Sequence, residues 1–547
     1  MKAFVKQWVV FLPLLVLIVL LFDNHIIKPD QAGNLLTGES TYGDLPFHMG
    51  QMAQMAYGHI FPPENPLYAH TLLVYPYFIN LISVLLVWLG MGSRNSILLP
   101  GIFFSALMIV TLYLFNHKVT KSRPASILAV YLFFLNGGLG FYYFAKDVIL
   151  TGQLADFLSQ PTSFKEYSHL FVENIQWCSF LTRILVPERS VLLGITMGLV
   201  IVYLLFLQIP KRKHSLDWSL LVAAVLAGLL PLSHTHTFIV FAFLIPFLAI
   251  FELKKDGLAN WLLRWFVFGG LVFAIAFPQL KLIFMHLGES STFIRFHLGW
   301  MSKPGFMQFL LFWWKNSGLL IPLTILSLFF GQLPAFLKKL VTFSFFIFII
   351  INLFLFQPFD WDNVKFLFWF AVFADLAVAV LLEKVWRMGG VVRRLLVGTA
   401  VFTLIFSSMV SFYREVQIKN WLFSAEDVQL GYWVKNSTPK DALFLTSFTH
   451  NSFVSNLGGR RILMGYQGSL WVHGIKYGTR EKDIREIYLG GHKAKNLINQ
   501  YGIDYIVVGP GERNNLNADE NYFQQNFYLI KKTGNYQIFA VSQQSKP

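Results

Sequence analysis

Val9 to Phe22 reads VVFLPLLVLIVLLF, follows Lys2 and Lys6, and runs straight into Asp23-Asn24-His25-Ile26-Ile27. An apolar run behind basic residues is the pattern of a secretory leader. A leader ends at a small-residue cleavage site, and none stands here. The stretch reads as an uncleaved anchor with its N-terminus in the cytoplasm, so the next residues lie outside. Every later assignment of sides follows from it.

Composition agrees. Of 547 residues, 55% are hydrophobic and 13% charged, with 57 Phe; mean hydropathy is +0.54. Soluble chains carry about twice that charged fraction. These values exclude a disordered chain, a collagen-like chain and a string of soluble domains. They leave a polytopic helical membrane protein. The net charge of +15 is not read as a nucleic-acid signal, because Lys and Arg gather in cytoplasmic loops of membrane proteins. With Cys178 as the single cysteine, no intramolecular disulfide can form.

Basic clusters mark the inner loops: His117-Lys118 with Lys121 and Arg123, Lys211-Arg212-Lys213, Lys254-Lys255, Lys338-Lys339, and Arg387 with Arg393-Arg394. Between them run apolar segments at 97–115, 125–145, 190–208, 217–233, 237–252, 261–283, 318–335, 340–356, 366–386 and 394–412. With 9–22 this gives about 11 transmembrane helices and an outer C-terminus. Segment 72–90, opening on Tyr75-Pro76-Tyr77, is read as a helix in the outer interface. If it crosses, there are twelve spans and one misplaced basic loop. The membrane part is 1–412, with a long outer loop at 23–96. Residues 413–547 hold 16 Lys and Arg and 11 Asp and Glu. They include strand-like Ala442-Leu443-Phe444-Leu445 and Tyr505-Ile506-Val507-Val508. A helix-like stretch runs from Lys482 to Gln500, and a hairpin turns at Gly534-Asn535. This is a C-terminal extracytoplasmic α/β domain.

Most of the odd polar residues of the membrane part fall in outer segments. The first outer loop holds Tyr42-Gly43-Asp44-Leu45-Pro46-Phe47-His48 and Phe61-Pro62-Pro63-Glu64-Asn65-Pro66. Asp44 reads either as a base for a substrate hydroxyl or as the cap of a following helix. His48 and Glu64 are further candidates beside it. The second loop starts at Lys146-Asp147 and ends at Arg183-Ile184-Leu185-Val186-Pro187-Glu188-Arg189. Arg183 and Arg189 suit a phosphate, which a guanidinium grips with forked hydrogen bonds, or they snorkel to lipid headgroups. Asp147 reads as a site carboxylate or as a loop acid paired with a base.

Ser233-His234-Thr235-His236 forms a hairpin tip. His234 and His236 can donate to a phosphate, ligate a metal, or simply cap the turn. In Phe359-Asp360-Trp361-Asp362-Asn363-Val364-Lys365, Asp360 and Asp362 can hold a divalent ion and Lys365 a phosphate. The other reading is a turn in which Asp362 and Asn363 satisfy backbone groups. The 284–305 loop, with Glu289, Arg295, His297 and Lys303, reads as a lid. Gly458-Gly459-Arg460-Arg461 and Trp471-Val472-His473-Gly474 read as an acceptor surface or a packed turn.

This layout resembles the GT-C superfamily of multi-spanning glycosyltransferases that use lipid-phosphate-linked sugars. The likeness covers most of the chain: a first crossing, a long outer loop with an acid, many crossings, then an outer domain. The Tyr-Gly-Asp-x-Pro-x-His and Pro-Pro-Glu-Asn-Pro motifs are similar to a largely uncharacterised bacterial branch. So are Asp362-Asn363-Val364-Lys365 and the Gly459-Arg460, Gly465-Tyr466 and Tyr505-to-Gly509 pattern.

The resemblance implies that Asp44 acts on the acceptor hydroxyl. It also implies a polyprenyl-phosphate sugar donor in membrane lipid, a glycan, lipid or protein acceptor, and a bacterial inner membrane. The outer domain lacks a Trp-Trp-Asp motif, and Asp147 is single where the oligosaccharyltransferase branch has Asp-x-Asp. A divalent metal, Mg or Mn, therefore stays an open alternative, with no metal ligand assigned. The competing classes are a transporter or flippase of a lipid-linked saccharide and a non-catalytic envelope polysaccharide assembly protein.

Overall fold

The computed structural model describes residues 8–208, 217–251, 257–286 and 293–542. The basic clusters at 211–213 and 254–255, and Lys2, Lys6 and Glu289, lie outside the described residues. Contacts divide the chain into two units: 1–23 with 101–281 and 292–418, and 24–100 with 282–291 and 419–547.

The first unit is helical. Local chemistry sets where its helices start. Ser122 caps the Arg123–Leu135 helix by accepting from the Ala125 N–H at 3.3 Å, with Pro124 in the first turn. Asp217 caps Trp218–Ser233 by accepting from Ser219 N–H. Ser93–Thr120, Arg189–Gln208, Leu258–Met285, Asp360–Arg387 and Val391–Glu415 are long and apolar enough to cross a membrane. Among the described residues that makes five, or seven if each of two bent pairs counts as one span.

The eleven expected segments each contain helix, but they do not all run unbroken. Arg123–Leu135 and Gly140–Ile149 meet at 59°. The break falls at Asn136-Gly137-Gly138, where Gly138 takes φ +61, a conformation that L side chains rarely adopt. The expected span 318–335 is instead Phe306–Ser317 and Leu320–Phe330, bent by 87°. Phe78–Trp88, within segment 72–90, has 11 residues, short of the ~20 needed to span.

Burial separates central helices from peripheral ones. The most apolar window of Asp360–Arg387 is 94% buried, against 17% for Leu258–Met285. A helix apolar all round and buried all round lies in the middle of a bundle; one apolar all round and exposed faces lipid. The 284–305 loop differs from a lid in its described part. Arg295–Phe296 pairs antiparallel with Phe354–Leu355, Arg295 forms an ion pair with Asp360, and Trp300, fully buried, donates to the Asp360 carbonyl at 2.8 Å.

The second unit carries a five-stranded mixed sheet in the order 461–462, 443–445, 505–508, 536–540, 528–533. The first three strands are parallel and the last two antiparallel to their neighbours. Ile506, Val507 and Val508 are buried, each stabilising the unit by about 1.5–3 kcal/mol. The expected hairpin forms with Thr533 opposite Tyr536. The expected helix 482–500 is two helices, Gly478–Leu489 and His492–Tyr501, separated at Gly490-Gly491. Ser424 and Asp427 form a capping box on Ala425–Ser437. Residues 35–37 pair with 420–423, so the first outer loop and the C-terminal segment share a sheet.

Candidate functional site

In the helical unit the Asp360–Asn363 turn leads into Val364–Arg387 and lifts Lys365 to its first turn. Lys365 is buried between two carboxylates. Its Nζ lies 2.9 Å from Glu188 Oε1 and 3.0 Å from Asp362 Oδ1. Glu188 comes from the residue before the Arg189–Gln208 helix, so two helix entries meet at one ammonium. Arg189, the next residue, is 2% exposed. A buried ion cluster of this kind is costly to assemble for stability alone, and ionisable groups at membrane helix ends commonly mark function.

The histidine hairpin is built on the same unit. His234 Nδ1 is 2.8 Å from Thr237 Oγ1, which also accepts from Trp369 Nε1 at 3.0 Å. The His234 and His236 rings are 5.3 Å apart, and His236 meets the Phe366 ring at 4.8 Å, one residue past Lys365. His236 Nε2 is 3.1 Å from Gln357 Nε2. The Arg189–Gln208 helix approaches closely at Gly194, where an added Cβ would lie 2.1 Å from His234 Cβ.

Other candidates take structural partners. Asn363 Oδ1 accepts from Phe356 N–H at 3.2 Å, and its Nδ2 donates to the Phe354 carbonyl at 2.8 Å. That is the backbone-satisfying reading of the turn. Asp147 pairs with Lys165 at 2.8 Å. Arg183 Nε lies 3.5 Å from Glu166 Oε2. Burial first, then the Asp147 charge, pushes the nearby Tyr167 hydroxyl up to about 12.

In the second unit Asp44 is exposed and opens the Asp44–Ala56 helix. Gly43 occupies the cap position, and no side chain caps there. An acid in the first turn is favoured by the helix dipole. His48, one turn on, is buried, with Nδ1 3.0 Å from Asn80 Nδ2; the same amide donates to Gln51 Oε1 at 2.6 Å. Phe47, His48 and Tyr75 ring with His473, Phe47 to His473 being 4.7 Å. His473, from the Trp471-to-Gly474 motif, thus joins the aromatic group beside Asp44's helix.

Glu64 takes a forked contact from Arg461 Nε and Nη2, both at 2.8 Å. Burial raises the Glu64 carboxyl, but the Arg461 bond and charge and the His70 N–H outweigh it and hold it below its ordinary 4.5. Arg460 donates to the Lys435 and Thr438 carbonyls at 2.6 and 2.9 Å, at the end of the Ala425–Ser437 helix. This is the packed-turn reading of the Gly458-to-Arg461 motif.

Asp375 went unremarked in the sequence. It is 1% exposed within Val364–Arg387, beside the Asn136 amide. Its signal was available: one acid in the apolar run Phe366 to Leu382. Among the described residues no three His, Cys, Asp or Glu side chains are grouped to hold a metal ion.

No protein-family model matches the chain, and no curated protein matches it in sequence. Solved structures do match. The apo oligosaccharyltransferase of Archaeoglobus fulgidus aligns at TM-score 0.54 and 11% identity, over 99% of this chain and 75% of that one. Its complex with Zn and sulfate gives 0.51 at 12% identity, over 98% and 74%. ArnT from Cupriavidus metallidurans, bound to undecaprenyl phosphate, gives 0.50 at 11% identity, over 98% of both chains. The chain has a GT-C-like fold.

Proposed function

We propose that this chain is an integral membrane glycosyltransferase of the GT-C type. It transfers a sugar from a polyprenyl-phosphate-linked donor to an acceptor hydroxyl on the outer membrane face, with residues 413–547 extracytoplasmic. The observation that carries the reading is the buried Glu188–Lys365–Asp362 cluster. It stands at helix ends in a fold whose solved neighbour ArnT is bound to undecaprenyl phosphate.

Asp44 takes the proton of the acceptor hydroxyl as its oxygen attacks the anomeric carbon. The bond from that carbon to the phosphate oxygen breaks, its electron pair leaves with the lipid phosphate, and the anomeric centre inverts. Negative charge grows on the departing phosphate. Lys365, Arg189 and Arg183, with His234 and His236, stabilise it more in the transition state than in the ground state. Lys365 is held by two carboxylates at rest, so the phosphate competes with Glu188 and Asp362 for it.

The test is Arg189→Lys, which keeps the charge and loses the fork. Donor KM rises while acceptor KM holds; unchanged donor KM removes Arg189 from the phosphate set. A second reading rests on Asp375, since transporters place ionisable groups near the midplane. Sugar transfer by purified protein in detergent, where no gradient exists, distinguishes the two.

A further inference from the structure

The Val364–Arg387 helix is polar at both ends. Lys365 stands at one end, and Glu383, Lys384 and Arg387 at the other. At 1.5 Å per residue the two ends are roughly 30 Å apart, about the hydrocarbon thickness of a bilayer. At the far end lies a cavity of about 550 Å³ lined by Lys121, Ser122, Gln332, Glu383, Lys384 and Arg387, among others. Its cations come from separate stretches. Lys121 lies in the turn between Ser93–Thr120 and Arg123–Leu135. Lys384 and Arg387 end Val364–Arg387. The positive-inside bias puts cations on one side of a membrane. It does not require them to converge on one concave surface.

The pocket's charge is not balanced. Glu383 accepts from the Ser122 hydroxyl on one oxygen and meets Arg387 at 2.5 Å on the other. Its charge is met inside the lining, while Lys121 and Lys384 remain as surplus. Lys384 Nζ donates to the Phe330 carbonyl at 2.8 Å, which uses one of three hydrogens. Two helices, Arg123–Leu135 and Ala335–Ile351, start beside the lining residues Ser122 and Pro334. Three others, Ser93–Thr120, Leu320–Phe330 and Val364–Arg387, end at the lining residues Thr120, Gly331 and Met388, so the helix dipoles add no net positive potential and the side-chain cations carry the surplus.

A second cavity of about 500 Å³ begins at Arg123, the residue after Ser122. It is otherwise lined by apolar side chains, including Ile127, Leu128, Val401 and Ile405. A basic phosphate pocket and an apolar trough along the same helix fit a lipid better than a free anion.

We infer that the Lys121–Lys384–Arg387 pocket binds the phosphate of an anionic phospholipid, in the leaflet opposite the Lys365 cluster. The shared chemistry is a phosphate oxyanion, and its source is settled by experiment. The full chain is placed in phosphatidylcholine nanodiscs with and without phosphatidylglycerol. Retained lipid is read by native mass spectrometry and protection by apparent melting temperature. Phosphatidylglycerol is retained and protects. Its preference falls roughly fivefold for each cation removed in Lys121→Asn, Lys384→Gln and Arg387→Gln.

Arg387→Gln also strips Glu383 of its partner and can harm folding. Lys121→Asn alone is the second variant, because Asn tolerates the left-handed φ of 59° at that position. It shows the single-cation drop on its own. An undiminished preference in Lys121→Asn and in the triple variant overturns the inference. So does protection by inorganic phosphate at millimolar concentration with none from phosphatidylglycerol.

Discussion

Replacing Lys365 with Met separates what the buried cluster does for folding from what it does for chemistry. The ammonium contacts Glu188 at 2.9 Å and Asp362 at 3.0 Å. At an effective dielectric near 20, each attraction is about 5–6 kcal/mol before desolvation. Desolvation cancels most of this. Orphaning buried partners costs about 3–5 kcal/mol net. The Lys365→Met protein therefore melts at a clearly lower temperature in detergent. Its transfer rate falls by roughly 10²-fold or more, the usual loss when a transition-state charge contact is removed.

The informative protein is the triple variant Lys365→Met, Glu188→Gln, Asp362→Asn. With no charge left to orphan, most of the stability returns. Turnover stays low, because nothing replaces the cation at the leaving phosphate. The assay pairs apparent melting temperature with initial rates from a polyprenyl-phosphate sugar. A triple variant that recovers both stability and turnover refutes a chemical role for Lys365.

Gly194→Ala forces a Cβ to within 2.1 Å of His234 Cβ. Overpacking costs about 1–3 kcal/mol and shifts the histidine hairpin, so melting temperature and turnover drop together; a variant like wild type in both disproves the close approach. Glu64 has its pKa depressed in the folded protein, so its stabilisation is present above its ordinary 4.5 and is lost as pH falls through the depressed value. Glu64→Gln is accordingly less stable at neutral pH and loses less on acidification. Parallel melting curves against pH for the two proteins contradict that assignment.

The long apolar runs were legible because a bilayer demands length and apolarity together, and each expected segment contains helix. The breaks were harder to see. Asn136-Gly137-Gly138 is only a three-residue dip inside the apolar run 125–145, and Lys315-Asn316-Ser317-Gly318 reads as the edge of a span at 318 when it is the bend between two helices. Gly490-Gly491 does interrupt Lys482 to Gln500, and charge pattern hid it. Lys365, Asp362 and the two histidines stood out in the sequence as polar residues at the ends of apolar runs, with Lys365 read as a phosphate ligand. Its pairing with Glu188 joins distant helix entries, and no local spacing encodes that. Glu64 and Arg461 are 397 residues apart and illegible for the same reason. Asn363 shows the reverse case: a local turn rule described it, and the turn is what it serves.

Transfer with Asp44 as base is tested by sugar transfer from a polyprenyl-phosphate-linked donor by purified wild-type and Asp44→Asn proteins at matched concentration. Asp44 is itself exposed at the start of its helix, and melting temperature checks that the substituted protein is folded. With Asp44 as the base, the wild type transfers the sugar and Asp44→Asn loses about 10²–10⁴-fold of the rate. A wild-type protein that transfers nothing from such donors, or an Asp44→Asn protein that keeps full activity, contradicts it.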